Sequence, residues 1–178
     1  RLTDRFYLGE PRFRGFQIRG VGPRIIRKYR VGVVDDPATS DREDAIIEDP
    51  QSWSSDSIGG KNYYLGRAEV EIPLGTGGRE LGLRPSIYVD VGALWSVKYP
   101  TLIDQPTKQT PYLDDEGKPV VGEDGNIVYY TTQGFKEFAY GNSASPRVSV
   151  GIGVSWNSPF GPFRFDLAKA LKKVEGDE

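Results

Sequence analysis

The sequence has no cysteine, no histidine and no methionine. The first absence removes disulfides and thiol nucleophiles, and the second removes imidazole general bases. Together they remove the usual His and Cys metal sites. No apolar run approaches the roughly 18 residues that a membrane helix needs, and no signal peptide is visible. Neither charge sign dominates: 23 Lys and Arg oppose 25 Asp and Glu for a formal −2, so the overall charge points to no nucleic acid. What the 178 residues do contain is 22 glycines, 13 prolines and 10 tyrosines, a composition of β-structure with long loops rather than of a helical bundle. The chain opens on Arg1, and on that ground it is expected to be a piece of a longer protein.

Charge is unevenly spread. Residues 1–30 carry Arg1, Arg5, Arg12, Arg14, Arg19, Arg24, Arg27, Lys28 and Arg30 against Asp4 and Glu10. Residues 31–60 reverse the sign, with Asp35, Asp36, Asp41, Glu43, Asp44, Glu48, Asp49 and Asp56 against Arg42. Two readings stand side by side: the blocks fold against each other as one long loop, or a basic strand precedes a solvated acidic linker. Neither block interleaves aromatics as a nucleic-acid surface does.

From Gly59 the texture becomes alternating, which predicts an all-β fold of antiparallel strands over about 63–74, 84–97, 146–157 and 163–174. In the first, Tyr64, Ala68, Val70, Ile72 and Leu74 share one parity, and Arg67, Glu69 and Glu71 the other. In the second, Ile87, Val89, Val91, Ala93 and Trp95 oppose Ser86, Tyr88, Asp90 and Gly92. The third sets Val148, Val150, Ile152, Val154 and Trp156 against Ser149, Gly151, Gly153 and Ser155. The fourth sets Phe163, Phe165 and Leu167 against Arg164 and Asp166, and its alternation favours continued strand over a short helix at 168–174. Residues 75–78 and 158–162 read as turns. Residues 1–58 and 98–145 read as long loops, the latter with a hairpin signal around Glu123-Asp124-Gly125-Asn126.

Segments of this length and alternation match transmembrane β-strands, with the apolar face toward lipid and the polar face toward a water-filled lumen. Charges on that polar face would not be accepted unpaired by a close-packed core. Short turns and long loops also alternate as in a barrel, and Trp95 and Trp156 close their strands as an interfacial belt would. A soluble β-sandwich used for binding or adhesion shares the alternation and is the reading from another class. An open four-stranded sheet has edges that lipid does not tolerate. The chain is therefore expected to be part of a barrel, incomplete as given, and to self-associate in isolation.

Specific strings carry a resemblance. Arg14-Gly15-Phe16 with Gly22-Pro23-Arg24 resembles the long sixth loop of the BamA family of outer-membrane β-barrel assembly factors, in the bacterial surface antigen superfamily. Gly59-Gly60-Lys61-Asn62 running to Glu69-Val70-Glu71-Ile72-Pro73 is similar to that family's twelfth strand, and Tyr88-Val89-Asp90-Val91-Gly92 to the Phe-x-Asp-x-Gly signature of its thirteenth. Ser149-Val150-Gly151-Ile152-Gly153 through Trp156-Asn157-Ser158-Pro159-Phe160-Gly161-Pro162 resembles the fourteenth strand and its turn, and Phe165-Asp166-Leu167-Ala168 to Lys172-Lys173 the fifteenth. The five blocks occur in order along nearly the whole chain. There are two departures: Phe13 stands where the family has a small β-branched residue, and the family's closing strand and periplasmic domains have no counterpart here.

The resemblance implies a part-barrel in the cell outer membrane, with a lumenal loop, belonging to a non-enzymatic factor that folds and inserts β-barrel proteins. It implies that Arg14 meets acidic residues on two strands, at the matching positions Glu71 and Asp90, with Gly15, Phe16 and Tyr88 beside them. An arginine fork suits two carboxylates better than an ammonium does. Catalytic residues, metal and cofactor are expected to be none, since Glu69, Glu71 and Asp90 lack the Gly-spaced loop of a Ca²⁺ site. The implied partners are unfolded outer-membrane β-barrel clients, accessory assembly lipoproteins and the lipid bilayer. A two-partner secretion translocator of the same superfamily is the alternative within this resemblance.

Overall fold

A computed structural model describes residues 4–31, 45–123 and 125–178. Most of the acidic block, 35–44, and one residue of the hairpin signal, Asp124, lie outside the described residues. In chain order the elements are β1 (Arg24–Tyr29), a 3-10 turn (Pro50–Ser52), β2 (Ser54–Ser57), β3 (Asn62–Glu71), α1 (Gly75–Glu80), β4 (Leu83–Trp95), β5 (Asp104–Gln105), β6 (Lys108–Pro111), β7 (Tyr129–Thr132), β8 (Phe135–Tyr140), β9 (Arg147–Ser158) and β10 (Gly161–Lys172). They fall into two units. The first holds the chain up to Ile25, Asp56–Lys98 and Ala139–Glu178; the second holds Ile26–Ser55 and Tyr99–Phe138.

The first unit is an antiparallel sheet in the order β10-β9-β4-β3, open at both edges. β4 is paired along its length, from Leu83↔Trp156 to Gly92↔Arg147 on one side and from Glu71↔Ser86 to Asn62↔Trp95 on the other. The period-2 alternation decides the facing. Ser86, Tyr88, Asp90 and Ser149 are buried, while Ile87, Ile152, Phe165 and Leu167 are exposed, Leu167 by 72%. Such an inside-out sheet is unfavourable in water and suits lipid. Strands of this length, tilted by about 40°, rise about 25–30 Å, the height of the apolar band of a barrel. Trp95 ends β4, and Trp156 faces Leu83 at the other end of that strand.

The N-terminal segment packs on the inner face of this sheet. Leu8, Phe13, Phe16 and Val21 form a small buried cluster with Leu94 of β4, flanked by Leu65 and Ala170. Backbone bridges Phe6↔Gly60 and Leu8↔Val21 fix its course. Two connections differ from the sequence reading. Residues 75–78 belong to the helix α1 rather than a turn, because the connection 72–82 is longer than a tight hairpin loop and closes a helical Leu81 amide to Gly77 carbonyl bond. The stretch 98–145 carries β5 to β8 rather than running as plain loop. β5, β6 and β7 are two to four residues long, too short to show a period, and β8 is the six-residue segment Phe135–Tyr140.

The second unit is built on a sheet in the order β2-β1-β8-β5, with an antiparallel β6–β7 pair whose connection holds two smaller turns, closed by the bridges Leu113↔Pro119 and Val121↔Ile127. Arg27 and Lys28 of β1, and Arg30 just after it, are neutralised here. Arg27 pairs with Glu137 at 2.8 Å, Lys28 with Glu48 at 3.1 Å, and Arg30 with Asp104 at 2.5 Å. Glu48 is the one described member of the acidic block among these partners, and Asp104 and Glu137 come from the later segment.

Candidate functional site

Arg14 lies on the inner face of the first unit. Its neighbour Gly15 has φ +84°, and a Cβ there would come within 3.2 Å of the Ala168 side chain and the Ala170 amide nitrogen. A side chain at 15 would therefore crowd β10 and strain the left-handed backbone of the turn. On the far side, the Phe16 ring packs on Phe13 at 4.6 Å between centroids, and both are buried. Phe13, the departure from the family pattern, is thus a core residue that seats the turn.

The Arg14 guanidinium makes a two-pronged contact with Asp90, from Nε to Oδ2 at 3.0 Å and from Nη2 to Oδ1 at 2.9 Å. Its backbone amide also donates to Asp90 Oδ2, at 3.4 Å. Nη1 reaches Glu69 at 3.3 Å and Asp166 at 3.2 Å. The guanidinium carbon stands 3.1 Å from the centre of the Tyr88 ring, a cation stacked on an aromatic face. Asp90 is fully buried and accepts a second fork from Arg67, at 2.8 and 3.1 Å. Arg164 completes the set, bonding Glu69 at 2.7 Å and Asp166 at 2.8 and 2.9 Å. Ser86 donates to Glu69 at 2.7 Å.

Three guanidinium groups thus meet three carboxylates drawn from the loop, β3, β4 and β10. Charge is balanced, and each carboxylate is held by more than one donor, which is what desolvated charges require. Tyr88 leans over β9 at its register partner Gly151, where an added Cβ would run into the phenol ring. The Tyr88 and Ser149 hydroxyls are buried without a hydrogen-bond partner among the described residues.

The sequence reading named Arg14, Gly15, Phe16, Tyr88 and Asp90, and the structure brings these together. Glu71 is corrected. The second carboxylate of Arg14 on β3 is Glu69, and Glu71 is exposed farther along the strand. Register is the reason: Arg67 lies opposite Asp90 and Glu69 opposite Tyr88, whereas Glu71 lies opposite Ser86, another two residues away. Arg67, Arg164 and Asp166 were not singled out. Their signal was available, because all three fall on the inward parity of strands whose charges must be neutralised together.

Strands of membrane-spanning length, apolar outside and charged inside, with a loop pinned to the inner face, define the wall of a transmembrane β-barrel. The chain belongs to the Omp85 superfamily, whose domain matches residues 1–178, and the outer membrane is its location. It is similar to the outer membrane protein assembly factor BamA of Neorickettsia risticii (strain Illinois), at 29% identity over 177 residues, covering 99% of this chain and 15% of that protein. The crystal structure of BamA from Haemophilus ducreyi lacking POTRA domains 1–3 matches with a TM-score of 0.52 at 22% identity, over 99% of this chain and 25% of that one. That likeness carries the fold. The chain spans only a small part of the length of either relative.

Proposed function

We propose that this chain is part of the wall of an outer-membrane assembly factor that folds and inserts β-barrel proteins, with the Arg14 loop pinned to the inside of that wall. In this reading residues 1–58 are the loop-bearing segment, and 59–178 supply wall strands joined by the long connection 98–145. The observation that carries it is the double fork on the fully buried Asp90, which ties the loop to β3 and β4. A wall cross-linked this way is stiff, so opening is left to a seam elsewhere, where a client strand adds by β-augmentation. The clients are unfolded outer-membrane β-barrels, with accessory lipoproteins and the bilayer as the other partners. The role is mechanical rather than enzymatic, since the site's carboxylates are all engaged by arginines. Similarity to BamA along 99% of the chain favours this reading over a secretion translocator.

The test is client insertion into lipid vesicles by the full-length protein. Arg14→Ala and Asp90→Asn are expected to slow insertion, and Arg14→Lys to recover part of the rate, because an ammonium cannot fork. Insertion at the unaltered rate in both Arg14→Ala and Asp90→Asn would overturn the proposal.

A further inference from the structure

A second buried ion pair lies at the stem of the same loop. Arg147, the first residue of β9, and the Asp177 side chain are both fully buried. Arg147 Nε donates to Asp177 Oδ2 at 2.8 Å and Nη2 to Oδ1 at 3.4 Å. Its remaining donors go to backbone carbonyls: Ser143 at 2.5 Å, Ser145 at 3.1 Å and Gly141 at 2.9 Å. Asp177 also accepts the amides of Gly22 at 3.2 Å and Val174 at 2.7 Å. Alongside, Arg24 pairs with Glu178 at 2.6 Å, and the Glu178 backbone bonds Gly20 at 2.9 Å and Gln17 at 3.0 Å. Three chain segments therefore converge here: the stem at 17–24, the bend at 141–147 and the tail at 174–178.

An apolar cluster would hold these segments at lower desolvation cost. What the ion pair adds is position. Arg147 reads two carboxylate oxygens and three carbonyls in fixed directions, and Asp177 reads one amide of the stem and one of the tail. The hydrogen bonds and ion pair of Arg147 and Asp177 involve none of Arg14, Asp90 and Glu69, so the stem and the tip have separate polar anchors on either side of the shared Phe13, Phe16, Val21 and Leu94 cluster.

We infer that Arg147 and Asp177 are a second anchor of the loop, and that they make the segment 174–178 after β10 a strap across its stem. The inference rests on the loop's role as proposed above. Arg14 sets where the tip lies on the wall. The Arg147–Asp177 pair sets where the stem lies and couples it to the end of β10, so breaking the pair frees the stem while the tip stays clamped. Both are positioning residues.

Hydrogen exchange of the full-length protein in lipid vesicles separates the two anchors. Asp177→Asn and Arg147→Lys are each expected to raise exchange at Gln17 and Gly22 about tenfold or more, with residues 12–16 near the unaltered rate. Arg14→Ala is expected to do the reverse. Asp177→Glu, which keeps the carboxylate, is expected to restore part of the stem protection. Should Asp177→Asn prevent folding, Arg147→Lys keeps a cation beside Asp177 but loses its bonds to the 141–145 carbonyls, and a rise at the stem alone supports the second anchor. Unchanged stem exchange in every folded variant overturns the inference, as does stem and tip loosening together in each. Failure of the broader functional reading shows separately, as client insertion indifferent to Arg14→Ala.

Discussion

Asp90 accepts two guanidinium forks at once, so its neighbours do not respond equally to substitution. Removing Arg14 leaves Asp90 paired with Arg67, whereas Asp90→Asn strips a partner from both arginines. The carboxylates on β3 differ more sharply. Glu69→Gln in the full-length barrel is expected to cost about 1–3 kcal/mol, because it weakens bonds to Arg14, Arg164 and Ser86. Glu71→Gln, at an exposed position, is expected to stay within about 0.5 kcal/mol. Unfolding titrations of the two variants check this, and equal losses would return Glu71 to the site. Tyr88→Phe keeps the ring under Arg14 and deletes a buried hydroxyl that has no partner among the described residues. It is therefore expected to be neutral or mildly stabilising in the same titration.

At the scale of elements, facing is the consequential property. Ile152→Arg on the outward face of β9 is expected to cost about 2–4 kcal/mol near the midplane, and Ser155→Arg on the half-buried inward face much less. Refolding of the full-length barrel in vesicles measures both, and equal penalties would mean the sheet has no lipid face. Ser149 shares the inward parity but is fully buried opposite Asp90, so it belongs with the intolerant positions. The long strands were legible from sequence because ten or more alternating residues leave one way to face. Their register was not, and Glu69 and Glu71 share a parity that periodicity cannot separate. β5 to β7 left almost no pattern, since strands such as Lys108–Pro111 are set by partners rather than by their own residues. The arginine cluster was half visible: Arg14 through its motif, Arg67 and Arg164 only through the need to neutralise inward charge.

Acid is expected to loosen the second unit at Glu137. The Arg27 guanidinium holds the Glu137 carboxyl below the usual carboxylate range, against burial that pushes it up, and the Ile103 amide adds to the lowering. Glu137 accepts that amide at 3.0 Å and returns its own to the Ile103 carbonyl at 2.9 Å. A carboxyl lowered on folding contributes stability that is fully present above its unfolded value of about 4.3 and is lost as pH falls through the folded value. Exchange at Ile103, corrected for intrinsic rates, is therefore expected to stay flat from neutral pH down to about 5 and to rise below about 4. Glu137→Gln should abolish that acid step, and a step that persists would assign it to another group.

For the whole molecule, a sheet whose β3 and β10 edges are unpaired among the described residues is expected to complete itself by further pairing. The 178-residue chain alone is expected to self-associate in a sedimentation series across concentration, and a strictly monomeric species would mean that its edges are covered. Arg14 and Asp90 are proposed to fasten the loop to the barrel wall. A double-mutant cycle of Arg14→Ala and Asp90→Asn, read as the unfolding free energy of the full-length barrel in bilayers, tests this fastening most directly. Breaking a buried pair costs on the order of 3–5 kcal/mol, and a partly wet lumen brings this toward the lower end or below. Asp90→Asn is predicted to exceed Arg14→Ala, and the double variant to be little worse than Asp90→Asn alone, because the shared bond is lost only once. Two losses that simply add would contradict the claim, and the loop would then be held to the wall by other means.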